Sequence, residues 1–293
     1  MIIALYKKLF VSGVWNIGYT NQSIDELFEN TGLSKVNWLP EDTAGDYSAD
    51  PFIFIHNGVE YIGYEHLDFT KGKGRNFIVN LKEGFSKKRI MSYSEELTCH
   101  QSYPYIFEDQ GVLYCIPETS ELTQVKLFRC GGTPYDWVEC ATLLKNFPGV
   151  DSSIVFIDDM YWLFTTPIHD QTILNLHYAR SIEGPYKAHT LNPIVKSTHA
   201  RMAGIIFQHK NHWYRPAQDL SSKYGGAIIL KKIELINDSA YRESSTLTLH
   251  PQEPYSDGLH TISIGNNKII VDGRRKKTSI STPFRKIIRR LHT

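Results

Sequence analysis

Cysteine is scarce in this 293-residue chain: Cys99, Cys115, Cys130 and Cys140, with no Cys-x-x-Cys spacing. That excludes a disulfide scaffold and a zinc motif, and points to reduced thiols packed in a cytoplasmic protein. His209 and His212 have no Cys or acidic residue close by in sequence, so no metal site is expected. No apolar run of about 18 residues exists, which argues against a spanning helix. The opening apolar stretch before Lys7-Lys8 is too short for a secretory leader, and its charges follow instead of preceding it. No Gly-rich phosphate loop follows a strand and opens a helix, so no cofactor is expected. Net charge is nearly absent as well: 32 Lys+Arg against 31 Asp+Glu leave +1. That balance excludes binding to nucleic acid driven by charge.

The balance hides a partition. Residues 274–293 carry eight basic side chains and no acid, leaving 24 basic and 31 acidic residues in 1–273, a net of −7. The chain therefore reads as a mildly acidic body with a basic tail. Within the tail, Pro283 to Leu291 fits a short amphipathic helix with Phe284, Ile287, Ile288 and Leu291 on one face. Such a helix suits peripheral contact with an anionic membrane, here the inner face. Packing on the acidic body and a solvated end are the other readings.

A pattern recurs in the body: an apolar run, a tight turn, then a second β-rich run. It starts at Asp50, Tyr103, Asp151, Arg201 and Leu259, with turns at Asn57-Gly58, Asp109-Gln110-Gly111, Asp158-Asp159, Lys210-Asn211 and Asn266-Asn267. Each unit is a hairpin, and a period of about 50 residues leaves room for two more strands. Four strands per unit at that period is a propeller blade. The expected fold is all-β: a five-bladed β-propeller over 1–273, with 1–45 supplying strands that close the ring and 274–293 as the tail. Ser23 with Glu26 fits a capping box for one short helical turn. A two-domain α+β protein with accidental similarity is the competing reading.

The first strand of each blade lines a propeller's channel. Equivalent starts here are Asp50, Ser102-Tyr103, Asp151, Arg201 and His260. Two carboxylates, a guanidinium, an imidazole and hydroxyls on one funnel suit a polyhydroxylated ligand, with or without negative charge. Tyr47, Tyr105, Trp213 and Tyr224 are candidates for stacking on sugar faces. Asp272-Gly273 reads as a blade-closing turn.

Ala49-Asp50-Pro51-Phe52 with Asn57-Gly58-Val59-Glu60-Tyr61 resembles the first blade of the propellers of glycoside hydrolase families 43, 32 and 68. Asp151-Ser152-Ser153-Ile154-Val155-Phe156 with Asp158-Asp159-Met160-Tyr161-Trp162 resembles the third-blade motif of family 43. The resemblance implies Asp50 as general base and Asp151 as the residue that orients the sugar and tunes the acid. The family's fourth-blade acid has no counterpart: its place falls at Arg201-Met202-Ala203-Gly204, and no Asp or Glu lies between Glu183 and Asp219. An arginine cannot protonate a leaving oxygen, because its pKa stays above about 12. A closer resemblance covers 47–273. It rests on His100-Gln101-Ser102-Tyr103-Pro104, Ile116-Pro117-Glu118, Arg201-Met202-Ala203-Gly204, Tyr214-Arg215-Pro216-Ala217-Gln218, Tyr224-Gly225, Asp257-Gly258-Leu259-His260-Thr261 and Val271-Asp272-Gly273. These are similar to the N-terminal propeller domain of plant glucosamine inositolphosphorylceramide transferases and its bacterial relatives. That implies a glycan-related role and no particular reaction.

The residues then take expected roles. Asp50 is base or nucleophile, Asp151 the orienter, and Glu118 the replacement acid, since its strand end can approach the funnel. Arg201 binds an anionic group such as phosphate or, alternatively, pairs with a ring aspartate. His100, Ser102, Tyr103, Arg215, Gln218, Tyr224 and His260 are expected to contact a carbohydrate or sugar phosphate. One functional reading is an enzyme on glycosidic or sugar-phosphate bonds in bacterial polysaccharide or glycolipid biosynthesis. Another is a non-catalytic, lectin-like module derived from a hydrolase. A third is a protein-interaction propeller with a vestigial funnel.

Overall fold

Five antiparallel sheets form the blades of a β-propeller, most of them four-stranded. The structure, a computed structural model, describes residues 6, 9–41, 46–83 and 85–292. Most of the stretch read for a leader, 1–5 and 7–8, lies outside the described residues. Blade one is Tyr47–His56, Val59–Asp68, Lys73–Asn80 and Arg89–Ile90; blade two is Ser102–Asp109, Val112–Glu118, Gln124–Cys130 and Trp137–Lys145. Blade three is Gly149–Ile157, Met160–Pro167 and Ile173–Ala179 with short outer strands Lys187–Ala188 and Val195–Lys196. Blade four is Phe207–His209, His212–Gln218, Ile228–Ile236 and Tyr241–Leu249. Blade five takes its inner pair, Ile262–Gly265 and Lys268–Thr278, from the end of the chain. Its outer pair, Val11–Thr20 and Asn37–Trp38, comes from the beginning. A ladder from Val11↔Thr278 to Thr20↔Ile269 thus joins the two halves of the chain within one sheet.

Burial follows position in the blade. Residues 48–54 of the first inner strand are buried without a break, because neighbouring blades cover both faces of an inner strand. Phe52, Tyr103, Tyr105, Ile106, Phe164 and Met202 share one apolar cluster across four blades. Ile17, Ile53, Ile62, Tyr64, Val79 and Ile270 weld blade five to blade one. Outside the blades, Ser23 caps the helix Ile24–Glu29, its Oγ accepting from the Glu26 N–H at 3.2 Å while Glu26 accepts from the Ser23 N–H at 2.8 Å.

Three inner strands break register at the same place. Pairing skips between Ala49 and Phe52, between Ser102 and Tyr105, and between Val150 and Ser153. Each break contains one residue with a left-handed backbone: Asp50 (φ 52°), Tyr103 (φ 41°) and Asp151 (φ 48°). A non-glycine residue held there costs about 1–3 kcal/mol. A bulge re-aims its side chain, and here it turns the start of each strand toward the axis.

Two boundaries differ from the sequence reading. The strand Lys268–Thr278 continues past Gly273, so Arg274–Lys277 are ladder residues paired with Ser12–Trp15 and not the start of a tail. Acidic partners hold them: Arg275 and Lys277 bond Glu41 at 2.7 and 2.9 Å, and Lys276 reaches Asp257 at 3.0 Å. The helical part of the tail is Thr282–His292. Asp272-Gly273 is mid-strand and not a turn, because register in blade five continues straight through it.

Candidate functional site

The same register that builds the blades builds two tiers of side chains at one end of the axis. The inner tier comes from the first strands and holds Asp50, Asp151 and, beside them, Arg201 and His260. The outer tier comes from the second strands. Glu65 lies opposite Ala49, Glu118 opposite Ser102 and Thr166 opposite Val150. Backbone hydrogen bonds place Gln218 opposite Arg201 and Asp272 opposite Thr261. All five outer-tier side chains are buried.

Asp50 is held by its neighbours on both sides. Thr261 Oγ1 donates to Asp50 Oδ1 at 2.7 Å and the Tyr103 N–H donates to Oδ2 at 3.3 Å. His260 Nε2 lies 3.5 Å from Oδ1. Burial pushes the Asp50 carboxyl up, His260 pulls it back, and the charges of Asp151 and Asp272 push it up again, to about 6. Asp272 is the hub behind it, accepting from the N–H groups of Asp50 (3.1 Å), His260 (3.0 Å) and Thr261 (3.0 Å). His260 Nδ1 approaches Asp272 Oδ2 at 2.5 Å, an ion pair when the imidazole is protonated. Burial disfavours the imidazolium, but Asp272 and Asp50 outweigh it and raise its pKa. Trp15 stacks on the ring at 4.0 Å between centroids.

Asp151 faces Arg201. The guanidinium binds it through Nε to Oδ2 and through Nη2 to Oδ1 at 3.2 Å, and Gln218 Nε2 donates to Oδ2 at 2.9 Å. Arg201 also donates to Gln171 Oε1 at 2.9 Å and lies 4.0 Å from Glu118. Of the two expected roles Arg201 takes the ion pair with a ring aspartate, its Nε, Nη1 and Nη2 each giving a hydrogen bond inside the protein. Glu118 accepts from Ser102 Oγ at 3.1 Å and Ser120 Oγ at 3.0 Å. Burial and then the charge of Asp151 raise it to about 7, against the pull of Arg201.

Glu65 was not singled out from the sequence. It lies 3.6 Å from His100 Nε2, and His100 Nδ1 accepts the Gly74 N–H at 2.9 Å. Burial and four neighbouring carboxyls, Asp50 first, raise its pKa well above the usual range. Burial lowers that of His100, so the imidazole is held neutral beside a carboxylic acid. Room for Glu65 comes from Gly74: a Cβ there would overlap the Glu65 carboxyl and approach the Gln101 carbonyl at 2.6 Å. Gly74→Ala is expected to destabilise the fold by about 1–3 kcal/mol. Adding Glu65→Ala is expected to restore part of that loss in a double-mutant cycle of denaturation midpoints.

The other expected contacts divide. Tyr224, 42% exposed, stands at the rim with its ring 5.2 Å from the Arg201 guanidinium carbon and 5.4 Å from His260. Gln218 keeps Oε1 buried and without a hydrogen-bond partner. Four expected contacts are corrected. Tyr103 is fully buried, its hydroxyl tied to Ser153 Oγ and to the Gly204 carbonyl and N–H across the axis. Arg215 is fully buried and paired twice with Glu243, at 2.7 and 2.8 Å, on the outermost strand of its own blade. Tyr105 is a core residue whose hydroxyl donates to the Ile154 carbonyl. Trp213 lines an apolar cavity of about 400 Å³ with Ile55, Phe107, Phe156, Ile206 and Ile264, away from the carboxyl ring. Asp50, His260 and Asp272 carry ligand atoms within 4.8 Å of one another, the spacing of a cation site.

A ring of paired and raised carboxyls in a five-bladed propeller has relatives. The family model described as "Glucosamine inositolphosphorylceramide transferase 1, N-terminal" matches residues 34–256. The chain belongs to this family. Glucosamine inositolphosphorylceramide transferase 1 of Oryza sativa subsp. indica is 28% identical over 206 residues, 68% of this chain and 28% of the rice protein. That of Arabidopsis thaliana is 29% identical over 243 residues, 79% of this chain and 30% of its own. The chain thus spans less than a third of the length of these family members. Among solved structures, a family 117 glycoside hydrolase of Zobellia galactanivorans has TM-score 0.54 at 13% identity, covering 92% of each chain. An exo-β-1,3-galactanase of Clostridium thermocellum has TM-score 0.55 at 10% identity, covering 71% of this chain and 53% of its own. These share the fold. The family propeller is accordingly carbohydrate-related, with a glycoside hydrolase-like architecture.

Proposed function

We propose that the funnel binds a carbohydrate or sugar phosphate and breaks or transfers its glycosidic or sugar-phosphate bond. In hydrolysis, ionised Asp50 takes a proton from the attacking water while Glu118 gives one to the departing oxygen. Asp50 as the nucleophile in a two-step transfer uses the same pair. Asp151, clamped by Arg201, orients the sugar. The observation that carries this reading is geometric: two buried carboxyls, Asp50 and Glu118, sit on one ring at the strand starts, and burial with neighbouring carboxylates raises both above the usual carboxylate range. The name of the plant relatives supports a place in glycolipid or polysaccharide assembly, and four unpaired cysteines support a cytoplasmic setting.

The test is a pH profile. Asp50 must be ionised, so turnover rises as pH climbs through about 6. Glu118 must be protonated, so turnover falls as pH passes about 7. A narrow bell is expected, with Glu118→Gln losing the alkaline limb. Retention of that limb in Glu118→Gln and its loss in Glu65→Gln would move the acid to Glu65 and overturn this assignment. Measurable glycan binding with no turnover on a broad panel of glycosides and sugar phosphates would establish the lectin-like module instead.

A further inference from the structure

An amphipathic helix normally turns its apolar stripe toward the protein. The C-terminal helix Thr282–His292 does the reverse. Its basic side packs on the propeller. Arg285 pairs with Asp46 at 2.5 Å, Arg285 and Arg289 lie over the Phe69 ring at 5.0 and 5.4 Å, and Lys286 Nζ donates to the Val11 carbonyl at 3.0 Å. The side chains turned outward are Phe284 (66% exposed), Ile287 (57%) and Leu291 (81%), and Ile280 (82%) continues the stripe just before the helix.

The place of this stripe gives it meaning. Val11, Asp46 and Phe69 lie at the end of the propeller where the first strands begin, which is the funnel end. The charge of Arg289 is felt at Tyr47 and His100 on that same side. Exposed Arg290, Lys71 and Lys73 add positive charge around the helix. An exposed apolar stripe ringed by basic residues is complementary to an anionic lipid surface. A second copy fits poorly, because a two-fold contact through the stripe would bring the exposed Arg290, Lys71 and Lys73 of both chains together.

We propose that Thr282–His292 is an interfacial anchor. It lies in the headgroup layer of an anionic membrane with Phe284, Ile287 and Leu291 in the acyl boundary. The funnel then opens at the bilayer surface and takes a glycan carried on a lipid. The identity of that substrate rests on the carbohydrate reading above; the anchoring does not.

Vesicle co-sedimentation of the full chain tests it. The protein should pellet with phosphatidylcholine vesicles containing about one-third phosphatidylglycerol, and at least about tenfold less with phosphatidylcholine alone or in high salt. The triple variant Phe284→Glu, Ile287→Glu, Leu291→Glu changes only exposed side chains, and should lose about tenfold or more. Hydrogen exchange on vesicles should protect 282–292 and 69–73, and leave the turns at Asn57-Gly58 and Asp158-Asp159 at the far end unchanged. Asp50→Asn should bind vesicles like the parent, so failed sugar chemistry with intact vesicle binding would sink the carbohydrate reading and leave the anchor. No pelleting, equal pelleting of the triple variant, or protection at the far-end turns would overturn the anchor. Concentration-dependent dimerisation that the triple variant abolishes, without vesicle binding, would assign the stripe to a second copy.

Discussion

Asp50→Asn is expected to lower turnover by about 10²–10⁴-fold while ligand affinity stays within a few-fold. The amide keeps the volume of the carboxylate and an acceptor for Thr261 Oγ1, which donates at 2.7 Å. It cannot take a proton from water or attack an anomeric carbon. The same variant should be more stable than the parent in alkali. Burial holds the Asp50 proton up to about 6 in the folded state, against an ordinary value of 3.8. The folded state therefore binds more protons, and the parent loses stability as pH rises from about 4 through about 6. The displacement corresponds to about 3 kcal/mol. Asparagine has no such loss, so at pH 8 the variant should gain about 1–2 kcal/mol after the weakened bonds to Tyr103 and His260 are discounted. Loss of activity joined to a gain in stability marks a functional strain. Undiminished turnover would remove Asp50 from the chemistry.

Arg201→Met is expected to destabilise the protein by about 3–5 kcal/mol, because it strands two buried carboxyls. Asp151 is bound by two guanidinium nitrogens, Glu118 lies 4.0 Å away, and all three side chains are buried. The denaturant midpoint should fall with an unchanged slope. The deficit should be smaller at pH 5 than at pH 8, as the stranded carboxyls take up protons. Arg201→Lys should recover only part of the loss, since an ammonium lacks the planar fork that meets both oxygens of Asp151. A cost under about 1 kcal/mol at neutral pH would mean that the pair is not the electrostatic floor of the funnel.

The propeller could be read from the chain because its first hairpins repeat: apolar run, Gly/Asn/Asp turn, second run. The outer hairpins do not align, because their last strands vary from two residues in Arg89–Ile90 and Lys187–Ala188 to nine in Trp137–Lys145 and Tyr241–Leu249. Asp50, Asp151, Arg201 and His260 were visible as equivalent strand starts. Their partners were not, since nothing in a linear chain says whether Arg201 meets Asp50 or Asp151. Glu65 was missed because Tyr64-Glu65-His66 reads as an ordinary alternating strand. The signal was there in the register: Glu65 and Glu118 each face the residue before a bulged ring position. Asp272 was misread because Asp-Gly is a turn signal when its strand is taken to end at Gly273. Tyr103 and Arg215 were misplaced for one reason. Their hydroxyl and guanidinium find partners 28 to 101 residues away, and pattern alone does not reveal which side of a strand start is already satisfied.

The central claim is that Asp50 and Glu118 act as a base and an acid on one bond. Leaving-group dependence tests it most directly. Parent, Asp50→Asn and Glu118→Gln would be assayed on matched glycosides of one sugar bearing a good and a poor leaving group. A good leaving group needs little protonation, so Glu118→Gln should lose about 10²-fold or more on the poor substrate and little on the good one. Asp50→Asn should lose activity on both. A uniform loss in Glu118→Gln, or activity on both substrates that survives Asp50→Asn, would contradict the account.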